Sequence, residues 1–364
     1  MLYYKINLME YYYPTGRPEK IDRIRAESRG MIYCPTPPPD PEPAKEDPIY
    51  RYLFHPATGK RWMDLGEQEP VLKMLFGEFW HEGEIAILLA DTNVGKSVLA
   101  VQIANSIAEG RPIAPFGMDA DPAKVLYVDF ELGTRQFYKR YTHAGADYNF
   151  NNNFLRAQFT PERLLANGID YQEEQIIDAI EFWVMELKAT VLIIDNITCL
   201  RAGMENATAA LNLMKKLKTL RADYNLSILV LAHTPKRRNP CAPISADDML
   251  GSKLMINLAD SAFAIGTSAT QPGLRYLKQI KQRSSAQLYG EDNVCLCRIT
   301  KPHNFLQMDF EGHSPERQHL SSRTYHQKAL ATRVPELAAR GYSQRLISKE
   351  LGISLGMVNK LMKK

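Results

Sequence analysis

The chain has 364 residues, a formal net charge of +4 and a hydrophobic share of 45%. This length allows one large α/β domain with a smaller unit beside it. The small net charge excludes a strong positive field over the whole protein, so a nucleic-acid partner has to be inferred from local patches. The five cysteines are scattered and no apolar run is long enough to span a bilayer. We therefore expect a reduced, cytoplasmic protein with no membrane partner.

The first part of the chain is aromatic and basic, and then rich in proline. Residues 1–34 carry tyrosines and arginines in no regular pattern. We expect an arm that packs on its own domain or on a neighbouring subunit, or that contacts nucleic acid. The prolines of residues 35–48 predict an extended linker. Beyond it, segments 50–54 and 59–62 are predicted to pair as short strands, and Trp80 either stacks on a nucleotide base or packs in the core.

A phosphate-binding loop is predicted at residues 90–98. The apolar run 85–89 before it predicts a buried strand, and residues 98–108 have apolar side chains at the spacing of a helix. Gly110 follows where a glycine C-cap is common. A strand, a tight loop that contains Gly-Lys-Ser and a helix are the context that such a loop requires.

The side chains of this loop predict how it binds ATP and Mg²⁺. Lys96 would reach the β- and γ-phosphates, and Ser97 would hold Mg²⁺. The loop N–H groups and the helix N-terminus would form the anion site. Ala90 stands where the pattern has its first glycine, and because it is small and keeps its N–H, we expect a working loop. The predicted nucleotide-binding residues are Ala90, Asp91, Thr92, Asn93, Val94, Gly95, Lys96, Ser97 and Val98.

Three further apolar runs end in a polar residue that suits a nucleotide site. The first ends in Glu131, the predicted general base, because a base must lie near the γ-phosphate without being a primary metal ligand. The alternative is an exposed acid at the strand end. The second ends in Asp195, a predicted Mg²⁺ ligand. The third ends in His233, which either senses the γ-phosphate or merely closes a strand. Helices are predicted over 171–187 and 208–224.

Two groups of cations follow the last of these strands. Lys236, Arg237 and Arg238 lie in an irregular loop, which predicts either contact with the phosphates of a nucleic-acid strand or a solvated loop. Lys281 and Arg283 share one face of an extended segment. In a ring this pair could reach the γ-phosphate held by a neighbouring subunit, or it could be an exposed cationic strand edge. Strands are further predicted at 260–265, 274–283, 294–300 and 305–310.

Residues 332–364 predict a small helical unit. Ser343 and Ser354 suit helix N-caps, and Gly352 suits the tight turn of a helix-turn-helix whose last helix is in the recognition position. From Arg333 onward, seven Lys or Arg stand against two Glu. This charge favours duplex DNA over a docked protein as the partner. The predicted DNA contacts of this unit are Arg345, Lys349, Asn359 and Lys360.

Together these motifs resemble the RecA-type ATPases, in particular the RepA-type hexameric replicative helicases of plasmids and their relatives on mobile elements. The resemblance covers about residues 79–310 and rests on segments 91–97, 128–131, 193–195, 231–234 and 251–253. It implies a ring on single-stranded DNA, with Glu131 as the water-activating glutamate, His233 as the γ-phosphate sensor and Arg283, with Lys281, as a finger that acts across the subunit interface. The tail resembles resolvase-like helix-turn-helix units, which the simple helicases lack.

We therefore expect an α/β protein: a RecA-like P-loop NTPase with a parallel-sheet core and a small all-α C-terminal helix-turn-helix. The expected function is an ATP-hydrolysing, helicase-like motor or switch in replication, transfer or recombination of DNA, working as a homo-oligomer, a hexamer by resemblance. The alternatives are a DNA-binding regulator with slow turnover and a protein-remodelling ATPase. The expected divisions are an arm (1–34), a linker (35–48), the ATPase domain (49–312), a second linker (313–331) and the helix-turn-helix (332–364).

Overall fold

The computed structural model describes residues 54–162, 173–196, 207–234, 241–248, 253–321 and 323–362. The chain divides into two compact units, Met1–Val71 and Leu72–Lys364. The predicted N-terminal arm, its proline-rich linker and the basic loop 236–238 lie outside the described residues. In the described part of the chain, no helix combines the length and the apolar character that are needed to cross a membrane.

Helix α1 (Gly59–Gln68) is the regular element of the described part of the first unit. The side chain of Thr58 accepts a hydrogen bond from the backbone N–H of Arg61 at 3.2 Å and so caps the helix. Lys60 and Asp64, one turn apart, form an ion pair at 2.7 Å. The predicted strand at 59–62 is therefore wrong, because the cap and the turn-to-turn ion pair favour a helix. Most of its predicted partner, 50–54, lies outside the described residues.

A nine-stranded sheet forms the centre of the second unit, in the order β13-β12-β11-β10-β3-β9-β8-β4-β7. The parallel strands are β3 (Ile85–Ala90), β4 (Val125–Asp129), β7 (Phe154–Gln158), β8 (Val191–Asp195), β9 (Ser227–His233) and β10 (Ser261–Thr267). Three antiparallel strands continue one side: β11 (Leu274–Lys281), β12 (Val294–Thr300) and β13 (Gln307–Ser314). Two small hairpins pair β1 (Met74–Phe76) with β2 (Trp80–His81), and β5 (Thr142–His143) with β6 (Ala146–Asp147).

Helices cover both faces of this sheet, as an apolar parallel sheet requires. Strand β3 shows the two faces: Ala86, Leu88 and Ala90 belong to one apolar cluster, whereas Ile85, Ile87 and Leu89 belong to the other. Trp80 is completely buried in the first cluster, so its core role is confirmed. Residues of α2 (Lys96–Glu109) belong to the first cluster. Residues of three helices belong to the second cluster: α4 (Glu173–Leu187), α5 (Ala207–Tyr224) and α6 (Lys253–Leu258). Helix α3 (Thr134–Arg140) follows β4 along the chain.

The register of the parallel strands brings their polar ends together. Ala90 at the end of β3 pairs with His233 at the end of β9. Asp129 at the end of β4 pairs with Asp195 at the end of β8. Because the carboxyl ends of parallel strands share one edge of a sheet, the residues predicted for a nucleotide site lie along the same edge.

Three helices form the C-terminal tail: α7 (Arg323–Ala339), α8 (Gln344–Leu351) and α9 (Leu355–Met362). They enclose a core of Val334, Leu337, Ile347 and Val358. The predicted caps are confirmed: the hydroxyls of Ser343 and Ser354 accept hydrogen bonds from Leu346 N at 3.3 Å and Met357 N at 3.2 Å, and Gly352 is left-handed, with φ 63°.

The segment 313–331, expected to be a linker, is largely structured where it is described. Strand β13 extends to Ser314, and Glu316 and His319 are buried. The Lys278 ammonium pairs with Glu316, and the His319 ring lies between the hydroxyls of Ser268 and Ser314, at 3.0 and 2.6 Å. Helix α7 also begins inside this range. The polar composition of this segment therefore does not make it a linker, because its polar side chains form hydrogen bonds and an ion pair within the fold.

Candidate active site

The loop between β3 and α2 has the backbone of an anion-binding loop. Asn93 and Gly95 adopt positive φ angles of 61° and 114°. The φ of Gly95 requires glycine, and a Cβ there would also displace the side-chain ends of Met308 and Ile299, at 2.6 and 2.8 Å. Arg275 Nε donates to the carbonyl of Val94 at 2.7 Å. The antiparallel strands therefore hold the loop from one side.

Lys96 is buried at the first position of α2, 4% exposed. Its Nζ donates to the carbonyls of Ala90 and Asp91, both at 3.0 Å, and lies 3.0 Å from Nδ1 of His233. Burial lowers the pKa of Lys96 against the opposing charges of Glu131, Asp195 and Asp91. A buried cation surrounded by acceptors at the mouth of the loop is suited to exchange these partners for phosphate oxygens.

The contact with Lys96 fixes the tautomer of His233. An ammonium group can only donate, so Nδ1 must accept and the proton of the neutral ring lies on Nε2. Nε2 is 3.1 Å from Oε1 of Glu131 and donates to it. The imidazole thus connects the lysine of the phosphate loop to the predicted base.

Glu131 lies just beyond β4, with its side chain 37% exposed. The amide Nδ2 of Asn196 also donates to Oε1. The hydrogen bond from His233, with the positive charges of Lys96 and Arg140, lowers the pKa of Glu131 against the effect of burial. Glu131 is therefore ionised at neutral pH, as a general base must be.

The neighbouring Asp129 is occupied by the structure itself. It is fully buried, its Oδ1 accepts the backbone N–H groups of Glu131 and Leu132 at 3.0 and 2.8 Å, and its Oδ2 accepts Arg156 Nε at 2.8 Å. Asp129 thus fixes the backbone that carries Glu131. Of the two acids at this strand end, Glu131 is the one placed to meet a substrate.

Asp195 has the properties of a metal ligand. Burial raises its pKa to about 6, although the hydroxyls of Ser97 and Tyr127 oppose this shift. The Tyr127 hydroxyl donates to Oδ2 at 2.6 Å, whereas Oδ1 is buried and makes no hydrogen bond of normal geometry within the described part of the chain. A buried carboxylate oxygen with free capacity beside a serine hydroxyl suits Mg²⁺, which prefers oxygen ligands. Ser97 and Asp195, the predicted pair, therefore fit the ion.

Lys281 and Arg283 lie at the opposite edge of the sheet from the phosphate loop, where the parallel strands begin. Lys281 pairs with Ala262 near the start of β10, and Ser261 pairs with Ala86 near the start of β3. Strand β3 runs from Ile85 to Ala90, so the two edges are about 17 Å apart at 3.3 Å per residue. Within one chain the pair does not join the phosphate loop, and its action across a subunit interface remains a prediction.

The predicted DNA contacts separate into two groups. Lys236, Arg237 and Arg238 lie outside the described residues. Residues 251–252, part of a segment that carries the family resemblance, also lie outside them. The four tail residues are all exposed: Arg345, Lys349, Asn359 and Lys360. They are accessible to a partner, and their binding of DNA stays a prediction.

Sequence reasoning missed three residues of this site. Asn196 bonds to Glu131, Tyr127 bonds to Asp195, and Arg140 acts on Glu131 through its charge, with Nη1 buried and unpaired in the described chain. Asn196 directly follows Asp195, so its polar side chain at a buried strand end was a usable signal. Tyr127 and Arg140 were not predictable, because their contacts depend on the register of β4 with β8 and on where α3 ends.

A cavity of about 450 Å³ lies beside the phosphate loop. Asp91 and Val94 of the loop line one part of it, and Leu330, Arg333 and Glu350 of the tail line another. Leu330 is 8% exposed although it lies outside the tail's own core. The tail and the phosphate loop therefore border the same cavity.

Comparison with protein families agrees with this geometry. A family model described as AAA domain matches residues 55–239, which include the phosphate loop, Glu131, Asp195 and His233. The chain belongs to this AAA-domain family. It is thus a P-loop ATPase, and the predicted α/β, RecA-like P-loop fold is confirmed by the family and by the parallel core of the sheet. The matched range ends before β10 and the helical tail of this AAA-domain protein.

Other comparisons add little about function. Among solved structures, a KaiC-like protein from the hyperthermophilic archaeon Pyrococcus horikoshii OT3 is 15% identical, with a TM-score of 0.43. The alignment covers 66% of this AAA-domain chain and 100% of that chain. So distant a likeness does not say what the chain binds. A search of curated proteins found no match.

Proposed function

We propose that this protein hydrolyses ATP as a DNA-associated, helicase-like motor or switch. The observation that carries the proposal is the connected set of Lys96, His233 and Glu131 at the carboxyl edge of the sheet. The set joins a phosphate-binding lysine to an ionised carboxylate through one imidazole. Such an arrangement can place a base near a terminal phosphate and let the imidazole of His233 respond to what the lysine contacts.

The proposed chemistry is attack of a water molecule on the γ-phosphate of ATP. Glu131 accepts a proton from the water as the P–O bond to the leaving ADP breaks. The loop N–H groups and Lys96 hold the phosphates, while His233 responds when Lys96 exchanges its Nδ1 contact for phosphate. Mg²⁺, held by Ser97 and Asp195, would neutralise charge on the phosphate oxygens when bound.

The proposal places DNA at two parts of the molecule. Single-stranded DNA would contact the basic loop of Lys236, Arg237 and Arg238, in a ring whose interfaces use Arg283 and Lys281. Support comes from the charge of the loop and its place directly after His233. Duplex DNA would contact the tail, where the exposed cations of α8 and α9 lie on two short capped helices.

Phosphate release by the full-length protein tests this function, with and without a single-stranded oligonucleotide. We expect turnover that needs Mg²⁺ and rises in the presence of the oligonucleotide. Removing residues 332–364 should weaken binding of a duplex probe, and the double variant Arg345→Ala, Lys349→Ala should weaken it without deleting the tail. An ATP turnover rate that is the same with and without single-stranded DNA would contradict the proposal of a DNA-dependent motor. Duplex binding that is unchanged in the variants would contradict the proposed role of the tail.

The cavity beside the phosphate loop favours a second candidate function. Because Leu330, Arg333 and Glu350 of the tail line the same space as Asp91 and Val94, a nucleotide in the loop could alter how the tail is held. The protein would then be an ATP-controlled DNA-binding regulator with slow turnover. In this case duplex affinity should differ between the nucleotide-free and ATP-bound Glu131→Gln protein. Equal affinity in both states would exclude this second function.

A further inference from the structure

We infer that Asn196 is a positioning residue that holds Glu131, beside His233, in the orientation required for ATP hydrolysis. The inference rests on the proposed function and adds a residue to it. Asn196 follows β8 directly, after Asp195, and is 1% exposed. A buried amide at the edge where the substrate would bind needs partners, and the structure gives it one member of the proposed catalytic set, Glu131.

The three side chains form a triangle in which two donors, His233 Nε2 and Asn196 Nδ2, point to one acceptor, Glu131 Oε1. Asn196 Nδ2 donates to Glu131 Oε1 and lies 3.0 Å from His233 Nε2, and His233 Nε2 is 3.1 Å from the same Oε1. Because Nδ1 of His233 accepts from Lys96, the Nε2 proton is directed to Glu131. Oε1 therefore receives two donors, one from the imidazole and one from the amide.

Of the three residues in this triangle, only Asn196 is fully buried. Asn196 is enclosed, whereas the Glu131 side chain is 37% exposed and that of His233 is 19% exposed. A glutamate side chain at the surface has several accessible rotamers. The amide of Asn196 selects one of them and keeps it when Lys96 leaves His233 for a phosphate.

The backbone fixes where this amide lies. Asp195 pairs with Asp129 across β8 and β4, and Phe130 N donates to the carbonyl of Asp195 at 2.7 Å. These contacts tie the chain on one side of Asn196 to the chain beside Glu131. The main-chain positions from which the two side chains extend are therefore set by strand pairing.

The test compares steady-state ATP turnover by the full-length wild type with Asn196→Ala and Asn196→Asp. Asn196→Asp has nearly the same size but loses the donor and places a second carboxylate against Glu131. We expect kcat to fall by about tenfold or more in Asn196→Ala and further in Asn196→Asp, since oriented proton transfer contributes on the order of 10² to 10⁴ in rate. The KM for ATP and the affinity for a fluorescent ATP analogue should stay within about twofold, because Asn196 would act on the base and not on phosphate binding.

A matched control and a double variant separate positioning from a structural role. Asn212→Asp makes the same change on the exposed face of α5 and should leave kcat unchanged. In a Glu131→Asp background, whose carboxylate no longer reaches the same place, adding Asn196→Ala should lower the remaining rate much less than tenfold. Thermal unfolding of Asn196→Asp shows whether the fold is intact.

The outcomes are distinct. A kcat within twofold of wild type in both Asn196 variants would overturn the inference, as would equal losses of kcat, nucleotide affinity and thermal stability. A full tenfold loss in the Glu131→Asp background would show that Asn196 does not act through Glu131. A wild type that does not turn over ATP at all would refute the proposed function and this inference with it.

Discussion

Lys96 and Lys281 lie at opposite edges of the same sheet, and the ammonium of each has three acceptors around it. Lys96 contacts two carbonyls of its own loop and the imidazole of His233. Lys281 donates to the carbonyls of Ile256, Asn257 and Ala259 at 2.9, 2.8 and 2.7 Å. Burial lowers the pKa of both lysines. The two lysines differ in their partners. Those of Lys96 include the side chain of His233, whereas those of Lys281 are all backbone carbonyls at the end of a helix.

The carboxyl edge holds groups whose bonding capacity is open to a ligand, and this carries an energetic cost. Among the described residues, Asp195 keeps one buried oxygen without a normal hydrogen bond, and Lys96 is a buried cation. At the amino edge, where the parallel strands begin, the charged side chains are paired with one another and with the backbone. There Asp260 accepts the N–H of Ile85 at 2.9 Å and pairs with Arg221 and Arg283 at 3.0 and 3.2 Å. The comparison predicts that mutations at the first edge remove activity and that mutations at the second remove stability, apart from an action of Arg283 across a subunit interface.

Lys96→Ala should have the largest effect. We expect ATP turnover to fall by at least about 100-fold, because an oriented cation at developing phosphate charge is lost. Thermal stability should stay equal or rise, since the charged form of this lysine is disfavoured by burial. Phosphate release and a thermal unfolding curve measure both quantities. A normal rate would remove the phosphate-loop assignment.

Arg283→Ala should reduce turnover by at least about 100-fold if the residue acts as a finger in a ring. Because it lies far from the phosphate loop of its own chain, the activity should return in part when this variant is mixed with Lys96→Ala. A mixed ring contains interfaces with an intact loop on one subunit and an intact finger on the next. No recovery in the mixture would show that Arg283 belongs to the scaffold of the amino edge, with Asp260 and Asn257.

Asp195→Asn should stabilise the protein in the absence of Mg²⁺. The pKa of Asp195 is raised from 3.8 to about 6 in the fold, so the folded protein binds this proton more tightly and loses stability as the pH rises from about 4 to about 6. At pH 8 the variant should be more stable by up to about 3 kcal/mol. Denaturant unfolding at pH 4 and pH 8 with a chelator measures the difference, which should be small at pH 4. A variant less stable at both values would show that Asp195 contributes to the fold.

Lys281→Ala should have the smallest effect, a loss of about 1 to 2 kcal/mol in the free energy of unfolding. The helix end at Leu258 would lose the cation that satisfies its last carbonyls. Lys216→Ala, on the exposed face of α5, is the matched control and should leave stability unchanged. Equal stability of the two variants would mean that the amino edge does not depend on this lysine.

The strands that lead to the site could be predicted because each is an apolar run that ends in a polar residue. Strand β8 is Val191–Asp195, as the sequence indicates, and α2 ends at Gly110, which is left-handed with φ 69°. Strand β7 could not be predicted in this way. It is a half-exposed strand at the end of the sheet, and its mixture of polar and apolar residues has no clear period.

The candidate site could be predicted as a set of single residues and not as a network. The phosphate-loop motif identifies Lys96, and the polar ends of apolar runs identify Glu131, Asp195 and His233. The triangle with Asn196 depends on strand register and on side-chain direction, which no local pattern contains. The same limit explains why the sequence suggests a ring-interface role for Arg283 without revealing that Asp260 pairs with it in the same chain.

The most direct test of the account is a comparison of ATP binding and phosphate release in wild type and Glu131→Gln. The account predicts that the wild type releases phosphate in many turnovers, and that the variant binds ATP as tightly but releases phosphate at least about 100-fold more slowly. Release by Glu131→Gln at the wild-type rate would contradict it, because the carboxylate that Asn196 and His233 hold would then have no part in the reaction.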